Sequence, residues 1–396
     1  MTEARRSGHS IRMDAYRLIA MPWRAWCALC ALCAAFYALG CASAKPAIEP
    51  PVHARAAEAE PNATRPAPQI APGRTRDVSA HELRVVETLM DAAERVRGLR
   101  FVRSVPVLVQ DADAIMAYVD SQIEEEELER ARLVYTALGL LPRELDVRAL
   151  LLRLMGEQVV GYYDIEAHRL VVRDDVMQAF EGRRSGPHVD VDEARVVLVH
   201  ELVHALQDQH LGLSANIDKK RDSDAESAYR ALIEGDATLA MIAFAHGRDA
   251  RQLSELTTDP ASVRNLSALV RSSPLAGSEL GSAPAIVRVP LLSAYIDGLG
   301  FAANLHGDGG WGRVDRAHAD PPASTEQVLH PERFVHHDAP ARLRLNDPAA
   351  TLGDSFRLVH EDTLGELELG VYFGLGGGGE AGARAAIGWA GDRLYA

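Results

Sequence analysis

The chain has 396 residues, enough for two domains or one large domain with lobes, and 47% of them are hydrophobic, ample for a core. A formal charge of −14, with no basic stripe and no module of stacking aromatics, argues against nucleic acid as a partner. Lysine is confined to Lys45, Lys219 and Lys220, so arginine supplies nearly all positive charge, a compositional bias without functional content.

Arg5, Arg6, Arg12, Arg17 and Arg24 precede an apolar run from Ala25 to Leu39. That run is shorter than the roughly 20 residues of a membrane span, and it reads as a targeting segment. Ala38-Leu39-Gly40-Cys41 resembles a bacterial lipobox, which implies a lipidated Cys41 as the first mature residue and an exported, envelope-anchored protein on the periplasmic or outer-membrane side. It departs from that pattern in carrying Ala38 where leucine is usual. Ordinary cleavage after Ala42 or Ala44 is the alternative, and a single uncleaved anchor helix is the third. The long stretch before the apolar run makes Met13 or Met21 a candidate start. Cys27, Cys30, Cys33 and Cys41 all fall within this segment, so the mature domain is expected to have neither disulfide nor thiolate ligand.

Residues 42–78, rich in Pro, Ala and Glu at their start, read as a disordered tether, with the fold beginning near Ser79 to Leu83. A helical N-terminal subdomain is expected over 79–157. Helical spacing runs from His81 to Arg97 and again through Ala112–Ala137 and Leu145–Val159, with a short strand at Val107–Val109. The acidic run Glu124–Glu129 reads as a solvated helix face. Gln158–Asp164 and Arg169–Arg173, joined through Ile165–His168, form the best β-hairpin pattern in the chain.

The most informative stretch follows. His200-Glu201-Leu202-Val203-His204 sits in an apolar helical pattern that starts near Ala194. Residues four apart on a helix lie one above the other, so both imidazoles can reach one ion while Glu201, one step round, can touch a water on it. That is the arrangement of a zinc hydrolase. Two histidines and a glutamate in so apolar a helix would be costly to bury without partners. The third ligand has two candidates. Glu234 lies thirty residues after His204 in a second apolar helix, beside Gly235, whose cost in a helix interior close helix approach would explain. His210 matches metzincin spacing, but that pattern needs glycine where this chain has Gln207, a good helix former. Glu234 is the stronger of the two. Asp208 and Asp236 are candidates to orient a ligand imidazole, Asp208 being favoured because it is four residues past His204.

His200-Glu201-Leu202-Val203-His204 followed by Glu234-Gly235-Asp236-Ala237 resembles the gluzincins, the zincin group of thermolysin and the large zinc aminopeptidases. The resemblance implies one Zn²⁺ per chain on His200, His204 and Glu234, with Glu201 as general base. The His-to-Glu interval is longer than in that group, and a loop insertion between the two helices would accommodate it. Val160–Asp164, His204–Gln209, Pro322–Pro331 and Gly388–Arg393 also resemble segments of a family of bacterial secreted proteins and lipoproteins. That resemblance spans most of residues 95–396 and implies a zincin-like fold, leaves the substrate open, and gives relatives that continue past this chain's end. In zincins the strand before the metal helix pairs with extended substrate. Zinc proteases often add a His or Tyr that hydrogen-bonds the oxyanion, for which His330 and Tyr295 are the candidates.

In the C-terminal third, Val289–Phe301 reads as a packing element, Asp308–Gly312 as a turn, and Ser324 as a helix N-cap. Gly376–Gly379 lacks the following lysine of a phosphate cradle. The expected fold is α+β and mainly α-helical. It would have a zincin-like core over 158–245 containing the hairpin, and a helical C-terminal lobe over 246–396. The expected activity is hydrolysis of a peptide or protein substrate, with a zinc-bound water activated by Glu201. The alternatives are a catalytically inactive zincin-fold binding protein and a metal-free structural envelope lipoprotein.

Overall fold

The computed structural model describes residues 73–396 apart from 157–158, 184–188, 218, 220–221, 249, 272–278, 347, 349–351, 354 and 376–377. The expected leader, Cys41 and the tether up to residue 72 lie outside the described residues. The described residues are 64% helix with a small mixed sheet, the α+β, mainly helical class read from the sequence.

Thr75–Asp77, inside the stretch expected to be tether, instead pairs as edge strand β1. Helix α1 (Ala80–Arg97) starts at a capping box in which Ser79 accepts from the Glu82 amide and Glu82 accepts from the Ser79 amide. It stops at Gly98, whose φ of 76° is open to glycine. Strand β2 (Val107–Gln110) follows Pro106, and helices α2 (Ala112–Ser121), α3 (Glu125–Ala137) and α4 (Val147–Gly156) complete the first part. The predicted hairpin is strands β3 (Gly161–Asp164) and β4 (Arg169–Arg173), antiparallel with Asp164 opposite Arg169. Sheet order is β1-β2-β4-β3, the β2–β4 pair being parallel. That leaves β3 on an edge of the sheet, with all four residues buried.

After a short helix α5 (Asp174–Phe180), helix α6 (Val191–Leu211) carries His200 to His210 without a break. Gly212, at φ 69°, ends it, and a single-turn helix α7 (Leu213–Ile217) leads to helix α8 (Ser223–Ala245), which carries Glu234. This excursion fills the long His-to-Glu interval. Helices α9 (Ala250–Thr258), α10 (Pro260–Arg271) and α11 (Glu279–Ser282) precede helix α12 (Ala285–Ala319), broken by non-helical backbone at Gly309 and Gly310, where the sequence suggested a turn. Helix α12 is long and apolar enough to cross a membrane, but 61% of its most apolar window is buried, the pattern of a core helix. Ser324 caps helix α13 (Thr325–Leu329), its hydroxyl accepting from the Gln327 amide, while the Gln327 side-chain oxygen accepts from the Ala323 amide. A further turn of helix, Pro331–Val335, follows it, and Gly365–Phe373 and Gly379–Ala386 form the last helices.

One apolar core runs from Val86 to Val371. Helices α6, α8 and α12 sit at its centre: Leu198, Leu202, Leu232, Ile233, Leu299 and Phe301 are all fully buried. Helices α8 and α12 cross so closely that a methyl at Gly235 would lie 2.0 Å from the Gly298 carbonyl oxygen. The close approach inferred from Gly235 is therefore real.

Candidate metal centre

His200 and His204 project from one face of α6 toward Glu234 on α8. His200 Nε2 lies 3.1 Å from Glu234 Oε2 and 3.0 Å from His204 Nε2, and His204 Nε2 is 3.5 Å from the same carboxylate oxygen. All three residues are fully buried. Three atoms rich in lone pairs approach this closely only with a proton or a cation among them, so this group can hold a metal ion. Tetrahedral zinc bonded at about 2.0–2.1 Å would set its donors about 3.3 Å apart, close to the spacings seen. Glu234 Oε1 is buried with no hydrogen-bond partner, a second donor atom left over at the same place. The donor set therefore fits zinc in both chemistry and spacing.

Electrostatics agree with a charged cluster. Burial would raise the Glu234 carboxyl, but the neighbouring imidazoles hold it down at about 2. Burial would likewise lower His204, and the Glu234 charge reverses the sign and raises it.

Glu201 is fully buried on the same helix, and its Oε2 accepts from the Tyr163 amide at 2.8 Å. This amide belongs to β3, so the edge strand and the glutamate touch directly. Tyr163 is fixed in turn by its hydroxyl, which donates to Asp208 Oδ2 at 2.8 Å. Asp208 also meets His168 Nδ1 at 2.7 Å and the Ser214 hydroxyl. Asp208 thus anchors the hairpin to the end of α6; the expectation that it orients a ligand imidazole is corrected. At four residues from His204 it lies on the flank of α6 that the hairpin covers, whereas Gln207, at three, lies on the flank facing α8.

The residue that meets His204 is Gln207, whose Oε1 is 2.8 Å from His204 Nδ1. Gln207 Nε2 donates to the Ile233 carbonyl at 3.0 Å and to Asp236 Oδ2 at 2.9 Å. Asp236 also takes Arg97 Nε at 2.6 Å and His318 Nε2 at 2.9 Å. Burial opposes the Asp236 charge, and Arg97 with His318 holds its carboxyl far below the ordinary range. Arg97, wholly buried, reaches on to Asp315 at 2.5 Å and lies over the Trp311 ring at 4.4 Å. Asp236 therefore acts at one remove, through Gln207. Spacing of three residues from His204 was the available signal for Gln207. Nothing in the sequence marks Arg97 or His318.

Tyr295 is buried beside the cluster, its ring 6.2 Å from that of His200. His330 is engaged elsewhere, with Nε2 2.8 Å from Glu366 Oε1; among the described residues no hydrogen bond or ring contact joins it to the cluster. Its position at the α13 boundary commits it to that helix end. His210 is exposed and meets the Arg100 carbonyl at 2.6 Å, because α6 continues through Gln207 and turns His210 away. No family model matches the chain, and no curated protein or solved structure matches it either.

Proposed function

We propose that the chain is an exported zinc-dependent metallopeptidase of gluzincin type with a zincin-like core, tethered to the cell envelope through Cys41. The observation that carries this reading is the convergence of His200 Nε2, His204 Nε2 and Glu234 Oε2, with Glu201 one residue along the same helix. A zinc ion held there would supply Lewis-acid polarisation of a scissile carbonyl and a water of lowered pKa. Glu201 takes the proton of the attacking water and delivers it to the leaving amine as the C–N bond breaks. The Tyr163 amide fixes the direction of that carboxylate. In this reading an extended peptide aligns along β3, the strand that precedes the metal helix. Tyr295 is the nearer of the two residues considered for hydrogen-bonding the oxyanion.

A second reading is a zinc-stabilised binding protein without catalysis. It is favoured by one observation: His200, Glu201, His204 and Glu234 are all fully buried, as in a closed structural site. Metal analysis of the purified protein, with cleavage of a peptide library by wild type and Glu201→Gln, separates the readings. One zinc per chain with cleavage lost in Glu201→Gln supports the peptidase. Zinc with no cleavage by either protein supports the second reading, and absence of zinc sinks both in favour of a metal-free envelope lipoprotein.

A further inference from the structure

We infer that Gln207 is the positioning residue for His204, setting which imidazole nitrogen faces the metal, and that Asp236, Arg97 and His318 hold Gln207 in that orientation. The inference rests on the metal-site reading above and concerns residues outside the ligand set.

Donor and acceptor bookkeeping carries it. The Gln207 amide has a carbonyl end and an NH₂ end. Its NH₂ end faces two acceptors, the Ile233 carbonyl and Asp236 Oδ2, whose carboxylate also takes the Arg97 and His318 nitrogens at 2.6 and 2.9 Å. Flipping the amide would set oxygen against oxygen at both places. The carbonyl end is therefore committed to His204 Nδ1, 2.8 Å away. An acceptor there requires Nδ1 to carry the proton, which leaves the lone pair on Nε2, the atom that faces His200 and Glu234. Asp236 is fixed by Arg97 and His318, both buried. The array thus ties α1, α6, α8 and the last turn of α12 to one proton position. Ile233 and Asp236 flank Glu234 on α8, so the same amide that orients one ligand holds the backbone bearing another.

The test measures zinc affinity by competition with a chromophoric chelator for the full protein and for Gln207→Leu. It adds unfolding midpoints with and without zinc, and ¹⁵N-histidine spectra of the zinc-bound wild type, with His204 assigned by its loss in His204→Gln. The expected result is an affinity about 10- to 100-fold weaker in Gln207→Leu. The zinc-dependent rise in midpoint should shrink more than the metal-free midpoint falls, and the wild-type spectrum should show His204 protonated at Nδ1. Zinc affinity within twofold of wild type in a folded Gln207→Leu protein overturns the inference. So does coordination of His204 through Nδ1, a readout that stands even if the variant does not fold. Wild type that binds no zinc overturns the metal reading itself, and that outcome is visible without any variant.

Discussion

Gly235 and Gly298 face each other where α8 crosses α12, and neither has room for a methyl group: Gly298 would meet the Ala231 carbonyl oxygen at 2.2 Å, as Gly235 would meet that of Gly298 at 2.0 Å. The crossing sets Glu234, next to Gly235, against α6, and it brings Tyr295, three residues before Gly298, to the side of His200. Alanine at an ordinary helix position would gain about 1 kcal/mol over glycine. Here the clash is with backbone and cannot be relieved by a rotamer change. Gly235→Ala should destabilise the protein by about 2 kcal/mol or more in urea unfolding. A variant as stable as wild type would show that the helices do not cross at this distance.

The ligand assignment separates Glu234 from His210. Glu234→Ala and His204→Ala should lose bound zinc, whereas His210→Ala should retain one zinc per chain, because His210 is exposed and bound to the Arg100 carbonyl. Metal-to-protein ratios by mass spectrometry read this directly. Zinc lost with His210 and kept without Glu234 would move the site to metzincin spacing.

Arg97 reaches the buried Asp236 from α1. Removing it leaves a buried carboxylate with His318 and Gln207 alone. Arg97→Leu should cost about 3–5 kcal/mol in denaturant unfolding, the usual penalty for breaking a buried pair from one side. Adding Asp236→Asn should recover part of the loss, since the uncompensated charge is then gone. A loss below about 1 kcal/mol in the single variant would mean that the pair is replaced by water or by another cation.

Asp224 lies at the start of α8, fully buried, accepting from the Thr325 amide at 2.9 Å and from the Thr325 hydroxyl. Burial, then the Asp222 and Asp392 charges, overcomes those bonds and pushes its carboxyl up to about 8 from 3.8. Between those values the folded chain keeps a proton that the unfolded chain has released. Folding therefore takes up a proton, and stability falls as pH rises through this window, by at most about 1.4 kcal/mol per unit. Glu368, also raised by burial, adds to the same slope. Asp224→Asn keeps an acceptor for Thr325 and carries no charge, so its urea midpoint should fall less than that of wild type between pH 6 and 8. Parallel midpoints for the two proteins would refute an elevated Asp224.

The sequence by itself determined what depends on local spacing. The i,i+4 histidines, the apolar pattern of α8, the β3–β4 hairpin and the Ser324 cap each follow from periods of 3.6 or 2 and from short-range turn chemistry. The conflict of Gly235 with helix propensity was legible for the same reason, and it pointed to a close crossing without naming the partner. Glu234 apart, which its helix pattern and the family resemblance paired with the two histidines, tertiary structure alone decided what joins distant segments. Gln207 rather than Asp208 meets His204, because the hairpin engages Asp208 on one flank of α6 while α8 holds Gln207 on the other. Arg97 reaches Asp236 across 139 positions of sequence, and Tyr163 lends its amide to Glu201 across 38. His330 reads as a site residue in a linear pattern, yet packing gives it to Glu366. Such pairings depend on which helix faces meet, and a chain's own periodicity fixes the faces but not their partners.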